Sequence, residues 1–142
     1  MDYNALQNSW SPCQIGKIHS KLATETFKPR QYLAPEWCTL HEDRTIVISD
    51  TIVWDDMKDL EGRLVIQSGA QLTVRCRLSM PKEATITIEP GATLILDECR
   101  LHNACGDQWG GIILQQKGKQ KGSIQLIGKV KIEDWEGLTD FM

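Results

Sequence analysis

The sequence predicts a mainly β fold: a short right-handed parallel β-helix of about four coils, preceded by one α-helix and an extended connector. Three observations carry this. From Thr45 onward the apolar residues keep period two, one segment repeats itself at an offset of 22 residues, and a helical stripe is confined to the first quarter of the chain.

The helix comes first. In SPCQIGKIHSKL, Ser11 and Gln14 form an S-x-x-Q capping box, and Pro12 takes the first helical position, where its missing N–H leaves no bond unmade. Ile15, Ile18, His19 and Leu22 then fall at i, i+3, i+4 and i+7, one apolar stripe. This predicts a helix over residues 12–23, with His19 as a packed, hydrogen-bonded residue of its apolar side. ATETFKPRQYLAPEWCTLHEDR, which contains Pro29 and Pro35 and no steady period, reads as an extended connector pinned by Trp37 and Cys38.

The β part follows. TIVISDTIVW, RLVIQ, AQLTVRCRLSM, ATITIEP, ATLILDECRL, GIILQQ and SIQLIGKVKIED are short and rich in Ile, Val, Leu and Thr, with Gly, Pro, Ser and Asp between them. IQSGAQLTVRCRL (66–78) aligns with IEPGATLILDECRL (88–101): Ile66 with Ile88, Gly69 with Gly91, Leu72 with Leu94. One added residue then brings Cys76 against Cys99 and Leu78 against Leu101, and SIQLIGKVKIED is a looser third copy. Repeats of this length bury their apolar edges against their neighbours. The leucine-rich pattern is absent, and six-residue coils do not divide the offset. Pro90-Gly91 suits a type II turn, proline fixing φ and glycine supplying the positive φ that follows. The amino-terminal helix and connector are expected to cover one end of the column, and EDWEGLTDFM (Trp135, Leu138, Phe141) to fold over the other. An antiparallel β-sandwich is the alternative that short strands permit.

Composition narrows the function. A formal charge of −3 over 142 residues argues against a nucleic-acid binder, which needs a basic face. Residues 1–44 balance five basic against five acidic side chains, so residues 45–142 carry the whole deficit. No apolar run has the length of a membrane span, and no signal-peptide pattern is present. The histidines His19, His41 and His102 are isolated, and no two cysteines are spaced C-x-x-C, so no metal site is expected.

Several candidate sites read as structure. Asp55, Asp56, Asp59 and Glu61 in DDMKDLE lack the spacing of a calcium loop and are expected in a solvated turn. Asp97, Glu98, His102 and Asp107 suggest a groove, but Asp97 and Glu98, adjacent in a strand, point to opposite faces. Lys117, Lys119 and Lys121 in KGKQKG read as a mobile, solvated loop. The five tryptophans, Trp109 among them, are scattered rather than gathered on one face. The five cysteines Cys13, Cys38, Cys76, Cys99 and Cys105 are possible disulfide partners. Cys76 and Cys99 stack in the repeat, Cys105 is an alternative partner for either, and Cys13 with Cys38 would tie helix to connector.

MDY followed by SPCQIGKIH resembles the end of the catalytic domain of pappalysin-type zinc metallopeptidases, a branch of the metzincins. The resemblance matches Met1, Asp2 and Tyr3 to the turn beneath the metal, and Ser11, Pro12, Gln14 and His19 to the helix after it. It implies that Met1 is the turn methionine of a longer protein and that residues 1–44 are the end of a catalytic domain, with 45–142 a β-helical domain. The segment from Ser68 to Ile112 is similar to β-helical parts of large secreted proteins of Bacteroidetes, which implies an extracellular or cell-surface location. The parent family uses zinc, but this chain has no HExxH and so lacks both the paired histidine ligands and the general base. The expectation is a non-catalytic carboxy-terminal segment without a cofactor of its own, its β-helix a spacer or interaction surface. The alternative is a free-standing module that binds a surface protein or a glycan, and self-association through the ends of the column is a further possibility.

Overall fold

The computed structural model describes residues 11–22, 24 and 32–141, in two compact units, Met1–Ala34 and Pro35–Met142. In the first unit, α1 (Pro12–Leu22) starts as the capping box requires: Ser11 N donates to Gln14 Oε1 (2.9 Å) and Gln14 N to Ser11 Oγ (3.2 Å). Thr24 closes its last turn, Oγ1 donating to the Ser20 carbonyl at 3.0 Å. No residue of α1 is buried, so His19 is not the packed histidine that the stripe predicts.

The second unit is built from three sheets visited in rotation. Sheet A stacks β1 (Ile46–Ile48), β4 (Leu64–Ile66), β7 (Thr85–Ile88), β10 (Gly111–Lys117) and β14 (Leu138–Phe141). Sheet B stacks β2 (Thr51–Trp54), β5 (Gln71–Val74), β8 (Thr93–Asp97) and β12 (Ser123–Ile127). Sheet C stacks β3 (Lys58–Asp59), β6 (Arg77–Ser79), β9 (Arg100–His102) and β13 (Lys131–Ile132). Each ladder is parallel, which excludes the antiparallel sandwich. The single antiparallel pairing among the described strands joins β10 to the short β11 (Gln120–Lys121). One pass through A, B and C makes a rung, so β1–β3, β4–β6, β7–β9 and β10, β12, β13 are four rungs, and β14 begins another in sheet A.

The register is the sequence repeat. Ile66 faces Ile88 and Leu72 faces Leu94, 22 residues on, whereas Leu78 faces Leu101, 23 residues on. The added residue falls at the corner after Asp97, where Glu98 takes φ +48°. The third copy is real: Ile124 and Leu126 sit on Leu94 and Leu96.

Inward rows are therefore apolar along the column, such as Leu64–Ile86–Ile112 and Leu72–Leu94–Ile124. Leu64, Leu72, Leu78, Ile86, Leu94, Leu96 and Leu101 have no solvent exposure. Each side chain so buried contributes roughly 1.5–3 kcal/mol, and that burial holds together strands only two to seven residues long.

The corners between A and B are tight turns. Ala92 N donates to the Glu89 carbonyl (3.0 Å) with Gly91 at φ +81°, the type II geometry that Pro90-Gly91 favours. Directly beneath, Ala70 N donates to Gln67 (2.9 Å), and Ser68 Oγ donates to the Pro90 carbonyl (2.5 Å), so the turns stack as the strands do.

The carboxy-terminal segment joins the stack as a further strand. Leu138–Phe141 adds a parallel strand beside β10, and Trp135 stacks on Trp109 with ring centroids 6.0 Å apart. Leu138 stands above Ile112 in the inward row of sheet A, and pairing onto β10 satisfies backbone groups of both strands.

Candidate functional site

The outer face of sheet C gathers the charge. Arg77 Nη2 donates to Asp59 Oδ1 at 2.9 Å, and Arg77 Nη1 lies 3.1 Å from His102 Nε2, which accepts because a guanidinium only donates. Asp59, Ser79 and His102 lie in register on successive rungs, with Ser79 and His102 buried. Ser79 Oγ accepts a hydrogen bond from Ala104 N (3.0 Å), which places it under the loop after β9.

Two further pairs follow the same rule: Arg75 Nε to Asp97 Oδ2 (2.9 Å) and Arg100 Nε to Glu133 Oε2 (2.5 Å). The Arg100 hydrogen bond holds the Glu133 carboxyl below its ordinary range. Asp59–Arg77 joins rungs one and two, Arg75–Asp97 rungs two and three, and Arg100–Glu133 rungs three and four. The arginines bridge neighbouring rungs.

A second feature is covalent. Cys38, in a 3-10 turn spanning Glu36–Cys38, is disulfide-bonded to Cys105, 67 residues away, with Cα atoms 5.7 Å apart. Asn103 shapes the loop that presents Cys105: its Oδ1 accepts from Cys105 N (2.7 Å) and Asp107 N (3.1 Å). The pairing Cys13–Cys38 is thereby replaced, and so is any bond of Cys105 to Cys76 or Cys99. Cys13 is free and exposed, while Cys76 and Cys99 are free and buried. Burial raises the pKa of both, that of Cys99 to about 11 with the adjacent Cys76 contributing, so they serve as small apolar core residues.

The third feature is an open groove of about 800 Å³ at the corner between sheets A and B. One wall is the turn pair around Ser68 and Pro90. The other is the β10–β11 hairpin, which carries Gln115, Gln116, Lys117 and Gln120. KGKQKG is thus a structured arm rather than a mobile loop, with Lys121 Nζ on Asp140 Oδ2 at 2.8 Å. Its signal in the sequence is the change in offset: Thr93 lies 22 residues after its partner Gln71, but Ser123 lies 30 after Thr93.

Other candidates are dispersed. Asp97 pairs with Arg75, Asp107 with Lys82 (3.6 Å), and Glu98 turns a corner against Gly128, while His102 lies beside Arg77. In DDMKDLE, Asp55 and Asp56 are exposed as a solvated turn requires, but Asp59 and Glu61 are ion-paired, to Arg77 and Arg44. Met1, Asp2 and Tyr3 lie outside the described residues. Among the described residues no three His, Cys, Asp or Glu side chains converge to hold a metal. No described helix is long and apolar enough to cross a membrane. Comparison with protein-family models, curated proteins and solved structures gives no match.

Proposed function

We propose that the chain is a non-catalytic segment of a secreted or cell-surface protein, its three sheets wound as a right-handed parallel β-helix that serves as spacer and interaction surface. Parallel strands joined by crossovers adopt the right-handed path almost without exception. The observation that carries the reading is the use of charge: Arg77, Arg75 and Arg100 each tie one rung to the next, as a rigid spacer needs. The Cys38–Cys105 bond supports an oxidising compartment. The resemblance of MDY and SPCQIGKIH supports a pappalysin-type zinc metallopeptidase as the parent protein, of which this is the carboxy-terminal part.

The test is direct. The protein isolated from its own cells is to show the Cys38–Cys105 crosslink by non-reducing peptide mass spectrometry, and no hydrolysis of casein or a polysaccharide panel with or without zinc or calcium. A reduced cytosolic protein, or turnover that follows added metal, overturns the reading.

Self-association is a second reading, favoured by one observation. Leu126 and Leu138, in inward rows of the last strands, are 63% and 52% exposed, and no described strand pairs with the outer edges of β12, β13 and β14. The occupant is a second copy of the chain. Asp140, in the inward row of sheet A above Leu114, keeps that contact weak.

A further inference from the structure

We infer that the groove beneath the β10–β11 hairpin is a binding site for an uncharged saccharide. The inference rests on the reading of the module as an extracellular interaction surface and names the ligand class for one part of it.

The arm is built with care for a segment that adds nothing to the core. Gln115 to Lys121 are all exposed, yet several devices fix them. Gln116 pairs with Lys121 and Lys117 with Gln120, and Gly118 turns the tip at φ +61°, its carbonyl accepting from Gln116 Nε2 at 3.0 Å. At the base, Gly122 N donates to Gln115 O (2.9 Å), and a Cβ on Gly122 would stand 2.5 Å from the Ile88 carbonyl, so only glycine lets the arm seat there. Lys121 anchors the far side on Asp140. A wall fixed in advance lowers the ordering cost of binding.

The lining selects the ligand. Gln115, Gln116 and Gln120 present carboxamides, whose N–H groups donate and whose carbonyls accept, one N–H of Gln116 being held by Gly118, and these match vicinal hydroxyls that both donate and accept. Glu89 and Lys117 oppose one another in charge, so the groove favours neither polyanion nor polycation. Pro90 is the one apolar side chain of the lining, too little for a lipid or an apolar peptide anchor. Nor does the inner edge of the arm offer a free strand for a peptide at Lys121, whose carbonyl already accepts from Gly91 N (3.2 Å). Without an aromatic platform the affinity is modest, in the millimolar to submillimolar range.

The experiment is an amide-resolved NMR titration of the intact protein with cellohexaose, xylohexaose and mannohexaose in turn. At least one is expected to give saturable shifts centred on Ser68, Glu89, Gln115, Gln116 and Gln120. The double variant Gln115→Ala with Gln120→Ala is expected to weaken it about tenfold, and Gln125→Ala on sheet B to leave it unchanged. No saturation by about 20 mM of any of the three, shifts centred elsewhere, or response only to a peptide or a sulfated glycan overturns the inference. A dispersed spectrum with the disulfide intact separates that failure from failure of the spacer reading, which would show as loss of the rungs themselves.

Discussion

Leu96 and Leu126 occupy the same inward row on adjacent rungs of sheet B, yet Leu96 has no exposure and Leu126 is 63% exposed. The difference is the absence of a described strand above β12. The protein is accordingly expected to self-associate weakly, with the sedimentation coefficient rising with concentration. Leu126→Lys should remove the rise without unfolding the chain, because the position is not part of the closed core. A concentration-independent monomer for the unaltered protein contradicts this.

Reduction of Cys38–Cys105, or Cys105→Ser, removes a loop constraint of 67 residues. The chain-entropy relation puts the loss at about 4 kcal/mol. Urea unfolding with and without reductant measures it. Cys13→Ser, at an exposed free thiol, should change nothing.

The three inter-rung pairs differ in burial, so their deletions should differ in cost. Arg77 and Asp59 are 12% and 16% exposed at the side chain, and Arg77→Ala, which removes the guanidinium that faces both Asp59 and His102, should cost the most of the three, about 3 kcal/mol. Arg75→Ala should cost at most about 1 kcal/mol, its arginine being 54% exposed. Arg100→Ala should also be mild. The Glu133 carboxyl, lowered by Arg100, contributes stability that is present above its unfolded pKa near 4.5 and lost as pH falls through the folded value. In Arg100→Ala the acid limb of the stability curve should flatten slightly.

Thiol reactivity should report the core. Cys13 is expected to alkylate promptly at neutral pH, and Cys76 and Cys99 only on unfolding. Burial lifts Cys99 from 9.0 to about 11, so its contribution to stability is complete below pH 9 and fades as pH rises towards 11. Timed iodoacetamide labelling read by peptide mass spectrometry checks both thiols, and rapid folded-state labelling of Cys99 contradicts the assignment.

The central rungs were legible because two constraints act on the same residues: inward rows must be apolar, and A-to-B corners need Gly69 and Gly91. Leu72 and Leu94 therefore align in sequence as they do in space. Even the extra residue showed, as the step that Glu98 absorbs. Sheet C was poorly legible, since β3 and β13 are two residues long and too short to display a period. Cys38 and Cys105 meet because the stacked parallel sheets bring distant segments together, which spacing does not encode. The hairpin read as a loop because KGKQKG has no alternation, its geometry resting on Gly118, Gly122 and a contact to Asp140. The tail read as a cap because EDWEGLTDFM carries no copy of the repeat, although Leu138 takes the place above Ile112.

The most direct measurement is a methyl-labelled NOE spectrum of the Leu and Ile side chains. Stacked parallel rungs require cross-peaks from Leu72 to Leu94, from Leu94 to Ile124 and from Ile86 to Ile112. If those are missing and close Hα–Hα contacts instead join sequence-adjacent strands, the sheets are antiparallel and the account fails.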